Sequence, residues 1–182
     1  MTLLNELHQD HVNLNKLLAV LGNKLEKLKQ GEMPNFVLLA DAVDYITSYA
    51  DAYHHPLEDQ MYAFFKDSGC PELDQAISQC VEEHRQLKKS SHEIIEAVDC
   101  ILSDAVVPMD QFSDKLEHFI NDQIEHLNLE EGTLFPLLDE VATEEQWKAL
   151  EPHLPKRSDP LFGEQQKQRY IDLYSELLRD IQ

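Results

Sequence analysis

Glycine is scarce in this chain of 182 residues, with five in all, and cysteine is scarcer, with three. So little glycine beside 42% apolar residues excludes a disordered or low-complexity chain. Cys70, Cys80 and Cys100 are odd in number and form no CxxC. That excludes a disulfide framework and fits free thiols in a reducing compartment, the cytoplasm. Basic residues are outnumbered, 15 against 35 acidic ones, for a net charge of -20. A nucleic-acid binder needs a basic footprint over phosphates, and adhesion to anionic lipid needs one over headgroups; both are excluded. No apolar run is long enough to span a bilayer, and the first residues lack the basic start and cleavage site of a signal peptide.

What remains is helical throughout. Leu4, Leu7, Leu14, Leu18, Leu21, Leu25 and Leu28 step by three and four over residues 3–29, and the missing member of the series, position 11, is a histidine. A second helix is expected from Pro34 to about Lys66; after a turn at Ser68-Gly69-Cys70-Pro71, a third carries Leu73 to Ile101 and ends near Ser103, and a fourth runs from Pro108 to about Glu140. No segment alternates with period two, so no sheet is expected. Four amphipathic helices with short connections predict an all-α, up-down-up-down four-helix bundle over residues 1–142. Residues 143–182 form a helical extension. It opens on a capping box at Thr143 and Gln146 and ends in a helix over about 164–181. The apolar face of that last helix must bury against the bundle or a second subunit, so a homodimer is a possible partner arrangement.

Histidine is the residue in excess, with nine, and an internal repeat organises them. Asp10-His11-Val12-Asn13-Leu14 in the first half answers Glu83-His84-Arg85-Gln86-Leu87 in the second. His54 with Glu58 answers His126 with Glu130. From His11 to His54 is 43 residues, and from His84 to His126 is 42. Each half is a helical hairpin with one histidine on its first helix and HxxxE on its second. Four residues turn about 400° on a helix, so each HxxxE pair stacks on one face. Packed together, the hairpins bring four histidines and two carboxylates inward. Burying two uncompensated carboxylates is prohibitive, and a metal pair supplies the missing positive charge.

These motifs resemble those of the hemerythrin-like proteins over roughly residues 5–140. The resemblance rests on the early histidine, on His54-His55-Pro56-Leu57-Glu58-Asp59, on Glu83-His84, and on His126-Leu127-Asn128-Leu129-Glu130-Glu131. It implies a non-haem di-iron centre with His11, His54, His84 and His126 as terminal ligands and Glu58 and Glu130 as bridges. Imidazole and carboxylate suit iron, manganese or zinc on softness alone, so the choice of two iron ions comes from the family. Ferritin-like sites use ExxH and more carboxylates, which sets that reading lower. The oxygen carriers of the family have HxxxH on the third helix. Here the positions four away from His84 are Cys80 and Lys88. With an oxo or hydroxo bridge, the four-histidine set leaves about one open position on each six-coordinate iron.

The pattern resembles the repair-of-iron-centres branch, associated with oxidative and nitrosative stress and iron homeostasis. It implies binding of, or reaction with, a small diatomic or peroxide ligand: oxygen, nitric oxide or peroxide. The alternatives are an oxygen or iron sensor or store, and a structural zinc bundle. No nucleophilic triad and no phosphate loop is present. His54 is preferred to His55, which lies about 100° around the helix. His8 is read as a boundary residue, and His92 and His118 as off the face. Asp10 and Glu83 are read as solvated acids, Cys80 as a core filler, and Tyr45, Tyr49, Tyr53 and Tyr62 as packing. Pro56 is expected to kink its helix beside the ligands.

Overall fold

A computed structural model describes residues 3–154 together with Leu161, Phe162, Tyr170, Ile171, Leu173 and Ser175. Helix α1 (Leu3–Lys29) keeps the predicted leucine stripe inward, from Leu7 to Leu28. It ends at Gly31, whose φ of 82° lets the Glu32 amide turn back onto the Lys27 carbonyl. Helix α2 (Phe36–Tyr49) begins two residues later than Pro34 because the Asn35 side chain caps the amides of Val37 and Leu38. It is followed by α3 (His55–Phe65), α4 (Pro71–Leu102), α5 (Met109–Leu129), α6 (Phe135–Val141) and α7 (Glu144–Leu150). The expected capping box at Thr143 and Gln146 opens α7. Among the described residues there is no strand, and no helix is long and apolar enough to cross a membrane.

The second and fourth bundle helices are each interrupted; a disturbance was expected at Pro56 in the second and none in the fourth. Ala50–His54 and Glu130–Leu134 are π turns. In each, the N–H that follows reaches back five residues, His55 to Ala50 and Phe135 to Glu130. The cause is legible two residues on. Pro56 and Pro136 have no N–H to give, and their rings would strike the carbonyls of Ala52 and Gly132 in a regular helix. The wider turn accommodates the ring and lets the helix restart. Both interruptions abut the HxxxE motifs, so the disturbance at Pro56 takes the form of a π turn and has a counterpart in the other half.

Helix α1 packs on α2 and α5, and α4 packs on the same two, which closes the ring of the bundle. Apolar residues fill it in two clusters. One includes Leu14, Leu21, Ile46, Phe112, Leu116 and Phe119, the other Leu7, Leu57, Met61, Phe65, Leu73 and Leu138. Each such buried side chain contributes about 1.5–3 kcal/mol relative to exposure. Leu161, Tyr170 and Leu173 join the first cluster; the Tyr170 hydroxyl donates to Asp44 (2.7 Å) and its ring meets Tyr45. These described positions of the C-terminal segment therefore cover this chain's own bundle. Tyr174, Leu177, Leu178 and Ile181 of the expected last helix lie outside the described residues.

Candidate metal centre

Between the two apolar clusters lies one polar layer. His11 follows Leu7 by one turn on α1, and His54 closes the first π turn. Glu58 sits on α3, His84 on α4, His126 on α5, and Glu130 opens the second π turn. All six are buried, Glu58, Glu130 and His54 completely. The structure brings together every residue that the repeat nominated.

The histidines form two pairs, and the carboxylates lie across both. His11 Nε2 and His54 Nε2 are 3.0 Å apart. Glu58 Oε1 is 3.4 Å from His11 Nε2 and 3.2 Å from His54 Nε2, while its Oε2 is 3.5 Å from His84 Nε2. Glu130 divides the opposite way. Its Oε2 is 3.3 Å from His11 Nε2, and its Oε1 is 3.6 Å from His84 Nε2 and 3.3 Å from His126 Nε2. Each glutamate thus offers one oxygen to each histidine pair.

A cation fits these donors. Both Glu58 oxygens, Glu130 Oε2, His84 Nε2 and His126 Nε2 are buried without a hydrogen-bond partner, a costly arrangement for a dry interior. Donors about 2.1 Å from one ion stand roughly 3.0–3.4 Å apart, which matches the spacings above. Among the described residues three groups could hold an ion: His11, His54, Glu58 and Glu130 on one side, and His55, Glu58, His84 and His126 or Cys80, His126 and Glu130 on the other.

Behind the histidines stands a second layer of acids that sequence reasoning missed. His11 Nδ1 donates to Glu131 (2.6 Å), His54 Nδ1 to Asp10 (3.2 Å), His84 Nδ1 to Asp59 (2.8 Å) and His126 Nδ1 to Glu83 (3.0 Å). Asp10 and Glu83 are therefore not solvated bystanders. Each acid is the chain neighbour of a central residue and serves a histidine on another helix. Asp10 and Glu83 tie the two helices of one hairpin; Asp59 and Glu131 tie one hairpin to the other. The signal was present, since all four acids recur in the repeat. A residue one step along a helix points about 100° away, and only the neighbouring helix shows what it meets there.

Such carboxylate contacts fix the ring orientation and turn Nε2 toward the centre. Asp59→Asn or Glu131→Gln is expected to weaken metal binding about ten- to a hundredfold, read by chelator competition with helical content unchanged.

The electrostatics follow from burial opposed by this network. Burial disfavours a charged His11, but the surrounding carboxylates of Glu130, Glu131 and Glu58 outweigh it and hold the imidazole well above its ordinary value. The same contest, with Asp59 as the leading partner, lifts His84 to about 11. His54 is also raised, by the Glu58 charge and Asp10 against burial. Burial disfavours charge on Glu58 as well, yet the surrounding histidines bring it well below the carboxylate range. Glu130 is lowered against both burial and Glu58. In the metal-free chain the centre holds protons where a metal would supply positive charge.

Three further side chains reach the layer. The Tyr62 hydroxyl donates to Glu130 Oε1 (2.5 Å), so Tyr62 does more than pack. Cys80 is fully buried and grouped with His126 and Glu130. His55, passed over in favour of His54, is buried against His84 with ring centroids 4.3 Å apart. Burial lowers its imidazole to about 4. His8 stays at the boundary, exposed, with Nδ1 2.9 Å from Glu131. His92 and His118 are exposed beside Glu96 and Asp122.

A helical bundle with a buried centre of imidazoles and carboxylates defines a metal-binding protein of the all-α class. The family described as Hemerythrin HHE cation binding domain matches residues 2–138, and the chain belongs to that family. No curated protein and no solved structure matches the chain.

Proposed function

We propose that this protein holds two iron ions and binds, or reacts with, a small diatomic or peroxide ligand at that centre. His11 and His54 would hold one ion and His84 and His126 the other, with Glu58 and Glu130 shared between them. The observation that carries this reading is the division of each glutamate's two oxygens between the two histidine pairs. A single ion would leave one pair and two carboxylate oxygens buried and uncompensated.

When bound, iron supplies redox and Lewis-acid chemistry. The chain's own residues do the rest. Four acids hold the imidazoles in orientation, the Tyr62 hydroxyl donates a hydrogen bond to Glu130 Oε1, and the apolar clusters on either side exclude water. The ligand pattern's likeness to the repair-of-iron-centres branch supports a role in oxidative or nitrosative stress or in iron homeostasis, and the three free cysteines support a cytoplasmic setting.

Metal analysis and the near-ultraviolet spectrum test this reading. Protein from iron-replete cells is expected to carry about two irons per chain and the absorption of an oxo-bridged ferric pair. Zinc, or no metal, overturns it.

A further inference from the structure

The chain has six tyrosines, and none lies on α1, α4 or α5. Four of the six make one file that starts at a residue of the centre. The Tyr49 ring is stacked on the His54 ring, with centroids 6.4 Å apart and an interplanar angle of 26°. Tyr45 is stacked on Tyr49 at 5.4 Å and 10°, and Tyr170 meets Tyr45 edge to face at 5.5 Å. A branch leaves Tyr49 for Tyr53, at 6.1 Å. Tyr45 and Tyr49 are buried, whereas Tyr53 is 45% exposed. Two ring-to-ring steps therefore join the buried centre to the surface.

The first π turn makes the first of these contacts. Five residues round a regular α-helix turn about 500°, which would leave Tyr49 and His54 about 140° apart. Across Ala50–His54 the hydrogen-bonded ring closes over five residues instead, and this brings Tyr49 onto the face of His54. The helix leading to His126 has no counterpart, since the residues before it are Asn121-Asp122-Gln123-Ile124-Glu125. Phenylalanine would fill the same space with no hydroxyl to satisfy. What tyrosine adds is a ring that can give up one electron when its phenolic proton has somewhere to go. Tyr170 has such a place, for its hydroxyl donates to Asp44 Oδ2 at 2.7 Å. At the exposed Tyr53 the proton can pass to water.

We propose that Tyr49 is an electron relay of the centre, that it joins the centre to a small one-electron donor at Tyr53 and to further electrons at Tyr45 and Tyr170, and that peroxide is the ligand it serves. This rests on the two-iron reading above. With both ions ferric, the two electrons that peroxide needs come from the tyrosines. Each of two tyrosines loses one electron to the centre together with its phenolic proton, which goes to Asp44 from Tyr170 and to water from Tyr53. The O–O bond breaks, and one HOOH, two electrons and two protons become two waters. Two phenoxyl radicals remain, and the irons end as they began. One electron and one proton restore each phenol. A reductant of the ascorbate class supplies both at Tyr53. The Tyr170 radical receives its electron along the file and takes its proton back from Asp44.

Hydrogen peroxide added to the di-ferric full chain, followed by rapid freezing and electron paramagnetic resonance, tests the proposal in the wild type, Tyr49→Phe and Tyr53→Phe. The wild type is expected to show a tyrosyl radical that ascorbate removes. Tyr49→Phe is expected to lose the radical while keeping both irons. Tyr53→Phe is expected to keep a radical that ascorbate no longer removes quickly. A measurement on the wild type alone covers the case in which Tyr49→Phe does not fold: a spin-trap adduct, mapped by peptide mass spectrometry, is expected on Tyr53. No radical in iron-replete protein, an equal radical yield in Tyr49→Phe, or an adduct confined to Tyr62 or Trp147 overturns the proposal. A preparation without iron overturns the two-iron reading instead, so the two failures are distinct.

Discussion

Glu58→Ala and Glu130→Ala are each expected to lose both metals rather than one. The reason is geometric. Glu58 gives Oε1 to the His11/His54 pair and Oε2 to His84. Glu130 gives Oε2 to His11 and Oε1 to His84 and His126. Either substitution removes one donor and half a negative charge from each pocket at once. Each ion would then rest on its imidazoles and a single carboxylate in a dry interior. The loss should exceed the roughly ten- to hundredfold weakening expected of the outer acids, so little metal should survive purification. Elemental analysis per chain measures it, with circular dichroism to show that the bundle persists. Exposed Glu125→Ala is the control. Retention of one ion would mean that the altered glutamate serves one pocket only, and full retention would contradict bridging altogether.

The second large effect is on stability against pH, which metal loading should reshape. In the metal-free chain His11, His54 and His84 are held above the ordinary 6.5. Their stabilisation is complete below about pH 6.5 and is lost as pH rises toward the folded values, about 11 for His84. His55 is lowered to about 4, so its contribution is present above 6.5 and is lost as pH falls through that interval. Glu58 and Glu130 are held below 4.5, and their stabilisation is lost as pH falls beneath it. These signs place the metal-free optimum near pH 6.5, with a decline on both sides.

Bound metal removes the alkaline decline, because it takes the place of the protons that the histidines give up as pH rises. At a thousandfold excess over its Kd, one ion adds about 4 kcal/mol. For a chain of this size that is roughly 8–16 °C in melting temperature. Melts of the chelated and iron-loaded protein across pH 5–9, loaded anaerobically with ferrous iron, measure it. The gap should widen from acid to alkaline pH, and parallel curves would contradict the assignment.

Much of this centre was open to reading before any tertiary contact was known. The step of three and four along α1 placed His11 on an inward stripe, and the repeat found His84 by the same rule. HxxxE put His54 with Glu58 and His126 with Glu130, since helical pitch alone stacks residues four apart. Pro56 marked where the second bundle helix would be disturbed; its counterpart Pro136 went unread. The form of the disturbance, a π turn, depended on what the surrounding packing accepts.

Asp10, Asp59, Glu83, Glu131, His55 and Tyr62 were visible as residues, but their places were not. All but Tyr62, which shares the face of Glu58, project at an angle where a single helix offers only solvent. By itself the sequence determined the helices, their apolar faces and the six central side chains, because those depend on periodicity within one element. Only the tertiary structure decided which carboxylate stands behind which histidine, and that Tyr62 and His55 meet the centre at Glu130 and His84. Those facts depend on the rotation of each helix against its neighbours, and no period along one helix encodes that rotation.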